Sequence, residues 1–580
     1  MTLREGVGAN RTATASGLAS VALALLLATE NDGIGAFAAW LASLSFGVAA
    51  TRGRHGVAPI ERADRVLLTL ATILGLLFRV WRVVEIPNGL WIDELATAAN
   101  AARLKEGPFR PFGTTALFAD GPEWVHTTNL YLYACLTVLQ PLGFSQGAIK
   151  LLSVLPGVAA VPALFLFARR VVPRVGAFAA AALLAVSPWH VTVSRWGWDQ
   201  VLVTTLAIAA FAFLHDGMER DSSRASYVAG IVVGAAQFAY LAARLLALGA
   251  AFALAVRLLA RRERPPRSAA LLFAAGLLQA SLPLVVLSLQ EPSRLHVRAQ
   301  EISIVPALRH GDLAPLAENL RAYAPMLHVA GDRNPRQNLP GEPMLSPVTG
   351  LLFLAGLFVA LTRPTQPASL IALTWLGTGL LGGVLSGPQS APNSYRVGLV
   401  EPACMILAGI AVAWMCGPPW RSREGTLARL AWPVTATAVV LSTVLTFISY
   451  FASRPASREC WQGLEDGAQT EILRRAVEAG LESGNDVALD ARLRTPTAVL
   501  MFGDVLPVRW PDRRVAFVDR VPSPRRSLVF VTTPATWDAL PQEWASLPAV
   551  AVSDPYLGPF AVAVTADPGL AARIRAVTGS

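Results

Sequence analysis

Apolar windows close to twenty residues long recur in this chain from the N-terminus to about Ala452. A helix of about twenty residues, rising 1.5 Å per residue, crosses the roughly 30 Å hydrocarbon core of a bilayer. Inside that core each backbone N–H and C=O needs an internal partner, so such runs form helices. The composition agrees. Of the 580 residues, 53% are hydrophobic and 15% are charged, whereas a soluble chain carries about a quarter charged residues. Mean hydropathy is +0.47. The expected fold is a polytopic α-helical membrane protein with about thirteen transmembrane helices.

The formal net charge of +10 does not point to nucleic acid, because the arginines sit in short loops between apolar runs. There they report topology, and no nucleic-acid partner is expected. Arg4 and Arg11 precede or open an apolar run at 12–29. A basic lead and a short run suit a signal peptide, but the small-residue cleavage pattern is poor, so a retained helix is expected. A second run, 35–50, completes an N-terminal transmembrane hairpin (1–52) and ends at a basic loop with Arg52, Arg54, Arg62 and Arg65. The next run, 66–84, then crosses outward.

Arg169, Arg170 and Arg174 follow the run 149–168, and Arg220 and Arg224 follow 201–214. Arg257, Arg261, Arg262, Arg264 and Arg267 follow 245–256, and Arg421, Arg423 and Arg429 follow 397–416. All fall on the cytoplasmic side if the segment 129–142 does not cross. That segment is short, contains Gln140-Pro141 and carries Tyr131 and Tyr133, which suits a helix at the outer interface. The N-terminus is then cytoplasmic and the C-terminus extracytoplasmic, in a multi-pass protein of the cell membrane. The central unit, 53–452, carries outer loops at 85–150 and 290–345, with a third at 387–396.

Beyond about Ser453 helix-like stretches (471–482, 537–545) alternate with β-branched runs at 487–489, 515–518, 528–531, 550–552 and 561–564. This reads as a small extracytoplasmic α/β domain, 453–580. The four cysteines, Cys135, Cys404, Cys416 and Cys460, have neither metal-ligand spacing nor a disulfide framework. A P-loop and a dinucleotide fingerprint are both missing, which argues against an ATP-driven pump or a redox enzyme.

Chemistry concentrates outside the membrane. Residues 87–94 read Pro-Asn-Gly-Leu-Trp-Ile-Asp-Glu directly after the run 66–84. A turn there delivers Asp93 and Glu94 to the outer face. Acids in a helix's first turn are favoured by its dipole, so a capping role stands beside a chemical one. On a helix the two point about 100° apart, so one acts on a proton while the other orients a ligand or a cation. The sequence does not say which is the base.

Arg195, Arg244, Lys105, Lys150, His126 and Arg396 also lie on outer segments or beside them. Positive charge prefers the inside, and an anionic ligand at the outer surface is a reason for its presence there, since Arg matches phosphate bidentately. Arg79 and Arg82 are expected to snorkel toward headgroups. Trp196 and Trp198 suit an interfacial belt or a stacking surface for a sugar, and Asp199 is placed to pair with Arg195. The polar stretch 331–341 is long enough to act as a lid.

The block 87–94 resembles the outer-loop Asp-Glu motif of GT-C glycosyltransferases, most closely family 39, which includes dolichyl-phosphate-mannose protein mannosyltransferases, their bacterial relatives and lipid A aminoarabinose transferases. Further similar segments follow in order. They are Asn129-Leu130-Tyr131-Leu132-Tyr133, Ile149-Lys150-Leu151-Leu152 through Pro156, Ser187-Pro188-Trp189-His190 with Ser194-Arg195, the run from Arg336 to Gly341, and Asn393-Ser394-Tyr395-Arg396. Together they cover about residues 66–452.

The resemblance implies transfer of a sugar from a polyprenyl-phosphate donor to a hydroxyl of a protein, lipid or glycan acceptor at the outer membrane face, with inversion. It implies Asp93 as general base and Glu94 as its support. Arg195, Arg244, Lys105 and Arg396 would stabilise the departing phosphate, with His126 and Asp199 among the substrate-binding groups. No cofactor is expected, and a divalent metal is not required if arginines neutralise the phosphate. The chain departs from the family at Val125-His126-Thr127-Thr128, where prolines are usual, and in its extra N-terminal spans and C-terminal domain. Protein O-mannosylation therefore does not follow.

The alternatives are a lipid-linked sugar transporter or flippase and a non-catalytic partner of a glycosyltransferase. A transporter would carry acids near the bilayer midplane, and here the acids cluster outside.

Overall fold

The computed structural model describes residues 3–29, 33–51, 60–117, 126–220, 222–260, 267–292, 300–417 and 426–579. Arg52, Arg54, Arg261, Arg262, Arg264, Arg421 and Arg423 of the basic loops, and Val125, lie outside these residues. The first half of the chain is helical: α1 (Leu3–Thr29), α2 (Gly33–Ala50), α3 (Arg62–Val80), α4 (Ile92–Glu106), α5 (Asn129–Leu142) and α6 (Gln146–Val171). Then come α7 (Arg174–Val186), α8 (Pro188–Val193), α9 (Gln200–Glu219), α10 (Ser223–Ala236), α11 (Arg244–Ala260) and α12 (Arg267–Gln290). Four further long helices cover Pro347–Thr362, Pro367–Val384, Glu401–Met415 and Thr426–Thr446. Among the described residues eight helical segments are long and apolar enough to cross a membrane, and α7 and Pro347–Thr362 are shorter apolar helices.

Helix Glu401–Met415 runs through the centre of the bundle and is buried from Glu401 to Ala413. It packs on α7 by backbone contact, since a Cβ on Gly176 would lie 2.6 Å from the Gly409 carbonyl oxygen. Small residues permit that approach where apolar lipid supplies no hydrophobic drive for helix association.

Charges sort to the two ends of the bundle. At one end Asp64 accepts from Arg169 Nε and Arg174 Nε, both at 2.8 Å. Arg170 pairs with Asp216 at 2.9 Å and Arg257 with Glu219 at 2.6 Å. At the other end the last turn of α3, the start of α6 and the turn 194–199 meet, where Arg195 Nη1 donates to the Phe78 carbonyl at 2.9 Å. The chain between α3 and α6 thus leaves and returns at one end, and α5 does not cross the bundle. Tyr131 is buried rather than facing headgroups, because α5 shares an apolar core with α4 and the C-terminal domain.

That domain holds a five-stranded sheet built from β3 (Asp486–Asp490), β4 (Val515–Val518), β5 (Leu528–Thr532), β6 (Ala549–Asp554) and β7 (Gly558–Thr565), in the order β4-β3-β5-β7-β6. β3 is parallel to β4 and β5, and β7 is antiparallel to β5 and β6. Each β-branched run of the sequence forms one strand. The expected helix at 537–545 instead divides into Pro534–Trp537 and Gln542–Ala545, because Pro541 between them donates no N–H to a continuous helix. Earlier in the chain β1 (Thr114–Ala116) pairs with β2 (His126–Thr128) in a small antiparallel ribbon.

Candidate active site

The Pro-Asn-Gly turn forms because Gly89 adopts φ +94°, a conformation that favours glycine. Ile92 then opens α4, and Glu94 turns back to accept from the Trp91 backbone N–H at 2.8 Å. Glu94 Oε1 also accepts from Gly197 N at 2.7 Å and from Lys150 Nζ at 3.2 Å. Both members of the Lys150–Glu94 pair are fully buried. Glu94 is thus occupied by capping α4 and tying it to α6 and the turn 194–199.

One position earlier, Asp93 faces a different space. It lines a cavity of about 600 Å³ with Trp91, His126, Trp198, Asp199 and Arg244, and with Arg336, Tyr395 and Arg396 from the later loops. The angular offset between successive helix positions separates the two acids.

Six of the residues singled out in the sequence line this cavity: Asp93, His126, Trp198, Asp199, Arg244 and Arg396. β2 carries His126, and Arg244 opens α11. Asp199 does not take Arg195. It accepts from Tyr395 Oη at 2.5 Å, and Tyr395 stacks on Trp198 with ring centroids 4.3 Å apart. Burial and the neighbouring Asp199 push the Tyr395 hydroxyl well above its ordinary pKa, so it stays a donor.

Arg195 lies elsewhere. It is fully buried, and its guanidinium donates to the carbonyls of Phe78, Arg79 and Ile86. It secures the approach to the motif turn from behind. Arg79 does not snorkel. It is fully buried and donates to the Gly75 and Ala185 carbonyls at 2.9 Å. Desolvating a guanidinium is tolerated there because several carbonyls receive its protons. Arg82 is half-exposed and paired with Glu85 at 2.6 Å. Lys105 is exposed on the last turn of α4, away from the cavity. Trp196 packs near Trp91 at 6.1 Å between ring centroids.

Arg336 is the cavity cation that the sequence reading passed over as part of a lid. Its guanidinium lies 3.9 Å from the Trp91 ring centroid. Burial lowers its pKa, and the negative charges of Glu465, Asp93 and Asp332 act against that shift. The loop that carries Arg336 is stapled rather than loose. Asp332 accepts from Ser394 N at 2.7 Å and Ser394 Oγ at 2.8 Å, and Gln337 accepts from Tyr395 N at 3.3 Å. An Arg beside two prolines' worth of turn in an otherwise outward-facing loop was the available signal, and its contact with Trp91 was not. Among the described residues no group of three or more His, Cys, Asp or Glu is arranged to hold a metal ion.

Residues 128–286 match the family model described as dolichyl-phosphate-mannose-protein mannosyltransferase. The resemblance to GT-C glycosyltransferases is thereby borne out, over a segment that begins after Asp93 and contains Arg195, Asp199 and Arg244. No curated protein matches the chain. Among solved structures, ArnT from Cupriavidus metallidurans bound to undecaprenyl phosphate is similar at 15% identity, covering 87% of this chain and 98% of that one, with TM-score 0.47. The Archaeoglobus fulgidus oligosaccharyltransferase is similar at 11% identity, over 86% of this chain and 74% of that one, with TM-score 0.42. The S. cerevisiae Pmt1-Pmt2 complex bound to the sugar donor is similar at 15% identity, over 42% of this chain and 36% of that one, with TM-score 0.32.

Proposed function

We propose that the chain is an inverting membrane glycosyltransferase that moves a sugar from a polyprenyl-phosphate donor to an acceptor hydroxyl at the outer membrane face. The observation that carries this reading is the composition of one cavity, which Asp93 lines together with Arg244, Arg336 and Arg396. An anionic leaving group and a hydroxyl nucleophile need that pairing of an acid with several cations. The family match over 128–286 supports the same donor class.

In this mechanism the acceptor oxygen attacks the anomeric carbon as its proton passes to the Asp93 carboxylate. The bond from the anomeric carbon to the phosphate oxygen breaks, and polyprenyl phosphate leaves with the electron pair. The three guanidiniums receive that developing charge, so no metal is required. Glu94 positions Asp93 by holding the N-terminus of α4. Trp198 and Tyr395 offer a stacked aromatic wall suited to a sugar face.

The test is transfer from membranes charged with radiolabelled polyprenyl-phosphate sugars, comparing the intact chain with Asp93→Asn at equal expression. Transfer is expected to fall at least about a hundredfold with loss of the base. Equal transfer by both would remove Asp93 from catalysis. Label that crosses the bilayer without transfer would favour a lipid-linked sugar transporter.

A further inference from the structure

A second cavity, of about 260 Å³, lies between the motif turn and the C-terminal domain, and it shares Arg336 with the larger one. Four guanidiniums line it, those of Arg82, Arg336, Arg454 and Arg475, and Glu85 is the one carboxylate among its described lining residues. The mechanism above uses none of these except Arg336.

The arginines are incompletely compensated. Arg82 pairs with Glu85 where both are about half exposed, and such pairs are weak. Arg475 reaches Glu471 at 3.0 Å, but Glu471 also holds Arg474 at 2.7 Å. Arg336 meets Glu465 at 3.3 Å, and Glu465 is 63% exposed. Arg454 donates to Thr192 Oγ1 at 3.1 Å and to backbone carbonyls of Pro335 and Arg336, and no carboxylate lies within ion-pair distance of it among the described residues.

A neutral donor joins them. Asn88 Oδ1 is taken by Arg475 at 3.1 Å, while Asn88 Nδ2 is buried with no hydrogen-bond partner among the described residues. A buried amide N–H without an acceptor costs free energy, and so does a cluster of like charges that its counterions only partly offset. One kind of occupant relieves both, an anion with several acceptor oxygens, which guanidiniums recognise bidentately.

The depth of the cavity fits a headgroup. Arg82 stands at the end of α3 beside Trp81, and Trp81, Phe447 and Ile448 are all more than two-fifths exposed in a stacked apolar patch. Aromatic side chains of this kind sit at the membrane interface.

We infer that this cavity is a second anion site that takes a phosphate group, separate from the donor cavity and coupled to it through Arg336. The phosphate belongs to a membrane lipid headgroup or to a soluble phosphate, and the two sources are separable. The inference does not depend on the glycosyltransferase reading.

The test uses the purified, delipidated full chain. Native mass spectrometry follows its retention of phosphatidylglycerol against phosphatidylcholine, and equilibrium dialysis follows inorganic phosphate. The variants are Arg82→Gln with Arg475→Gln, Arg82→Lys, and Arg244→Gln as a probe of the donor cavity. The expected result is anion binding that weakens about tenfold or more in the double Gln variant, as lost charge-assisted bonds imply. Arg82→Lys keeps the charge but loses the bidentate fork, so it should weaken binding less than the double Gln variant does, and Arg244→Gln, which leaves this cavity intact, should weaken it least. Preference for phosphatidylglycerol identifies the lipid source, and binding of inorganic phosphate alone identifies the soluble one. Binding of neither anion overturns the inference, as does binding lost in Arg244→Gln but kept in the double variant.

Discussion

At residue scale the adjacent acids have opposite fates. Glu94 has three protein donors, one of them the buried Lys150, and Asp93 has the cavity. Replacing Glu94 by Gln leaves Lys150 charged and buried without a counter-ion. Breaking a buried pair in this way costs about 3–5 kcal/mol. Glu94→Gln should therefore lower the thermal unfolding midpoint strongly, and adding Lys150→Met should restore much of it. If the single variant melts like the parent, the pair is not structural. Arg336→Lys tests a different property. Lysine keeps the charge but loses the planar stack on Trp91, and the two cations are not interchangeable at a stacked site. Stability should fall by about 0.5–2 kcal/mol, the worth of the lost cation–π contact, and transfer by about tenfold; an unaltered rate in transfer assays would show that the stack plays no part in catalysis.

Elements explain why part of this was legible. Apolar runs of about twenty residues and short β-branched runs are local signals, and both appear in the structure as helices and strands. The turn of Pro87, Asn88 and Gly89 was legible for the same reason. What occupies a buried side chain is not local. Arg195 looked like an anion ligand because it is a cation on an outer segment, but the carbonyls it holds belong to residues more than a hundred positions away. Arg336 acquires its neighbour Trp91 only when the stretch 331–341 folds over the motif.

The contact between Gly89 and the helix Gly467–Glu482 is of that kind too. A Cβ on Gly89 would lie 2.8 Å from the Gly467 carbonyl oxygen, at a positive φ. Gly89→Ala should destabilise the chain by about 1–3 kcal/mol and loosen the C-terminal domain, measured as faster proteolysis at its first helix. Within that domain Asp490 accepts from Thr532 Oγ1 at 2.6 Å and from Arg492 N at 3.0 Å. Burial raises its pKa, but these donors outweigh burial and hold it below the ordinary 3.8. A carboxyl depressed in the folded state contributes stability above its unfolded pKa and loses it as pH falls through the folded value. Asp490→Asn should therefore flatten the acid limb of the melting curve below about pH 4.

For the whole molecule, the ion pairs mark one end of the bundle and the motif marks the other. In the proposed topology the arginine end is the cytoplasmic one, as the positive-inside rule expects. Thr365 belongs to that end, since Arg257 Nη1 donates to its carbonyl at 3.5 Å. Ser523 is exposed on the C-terminal domain, which packs over the motif end. The proposed topology therefore makes opposite demands on two single-cysteine chains with Cys135, Cys404, Cys416 and Cys460 replaced. Ser523→Cys should react with a membrane-impermeant maleimide in intact cells or spheroplasts. Thr365→Cys should react only after permeabilisation. The reverse pattern would place Asp93 on the cytoplasmic face, where nucleotide sugars abound, and would remove the reason for a lipid-linked donor. Labelling of both sites in intact cells would mean that the arginine end is not sealed behind a bilayer, and the reading of these helices as spans would fail with it.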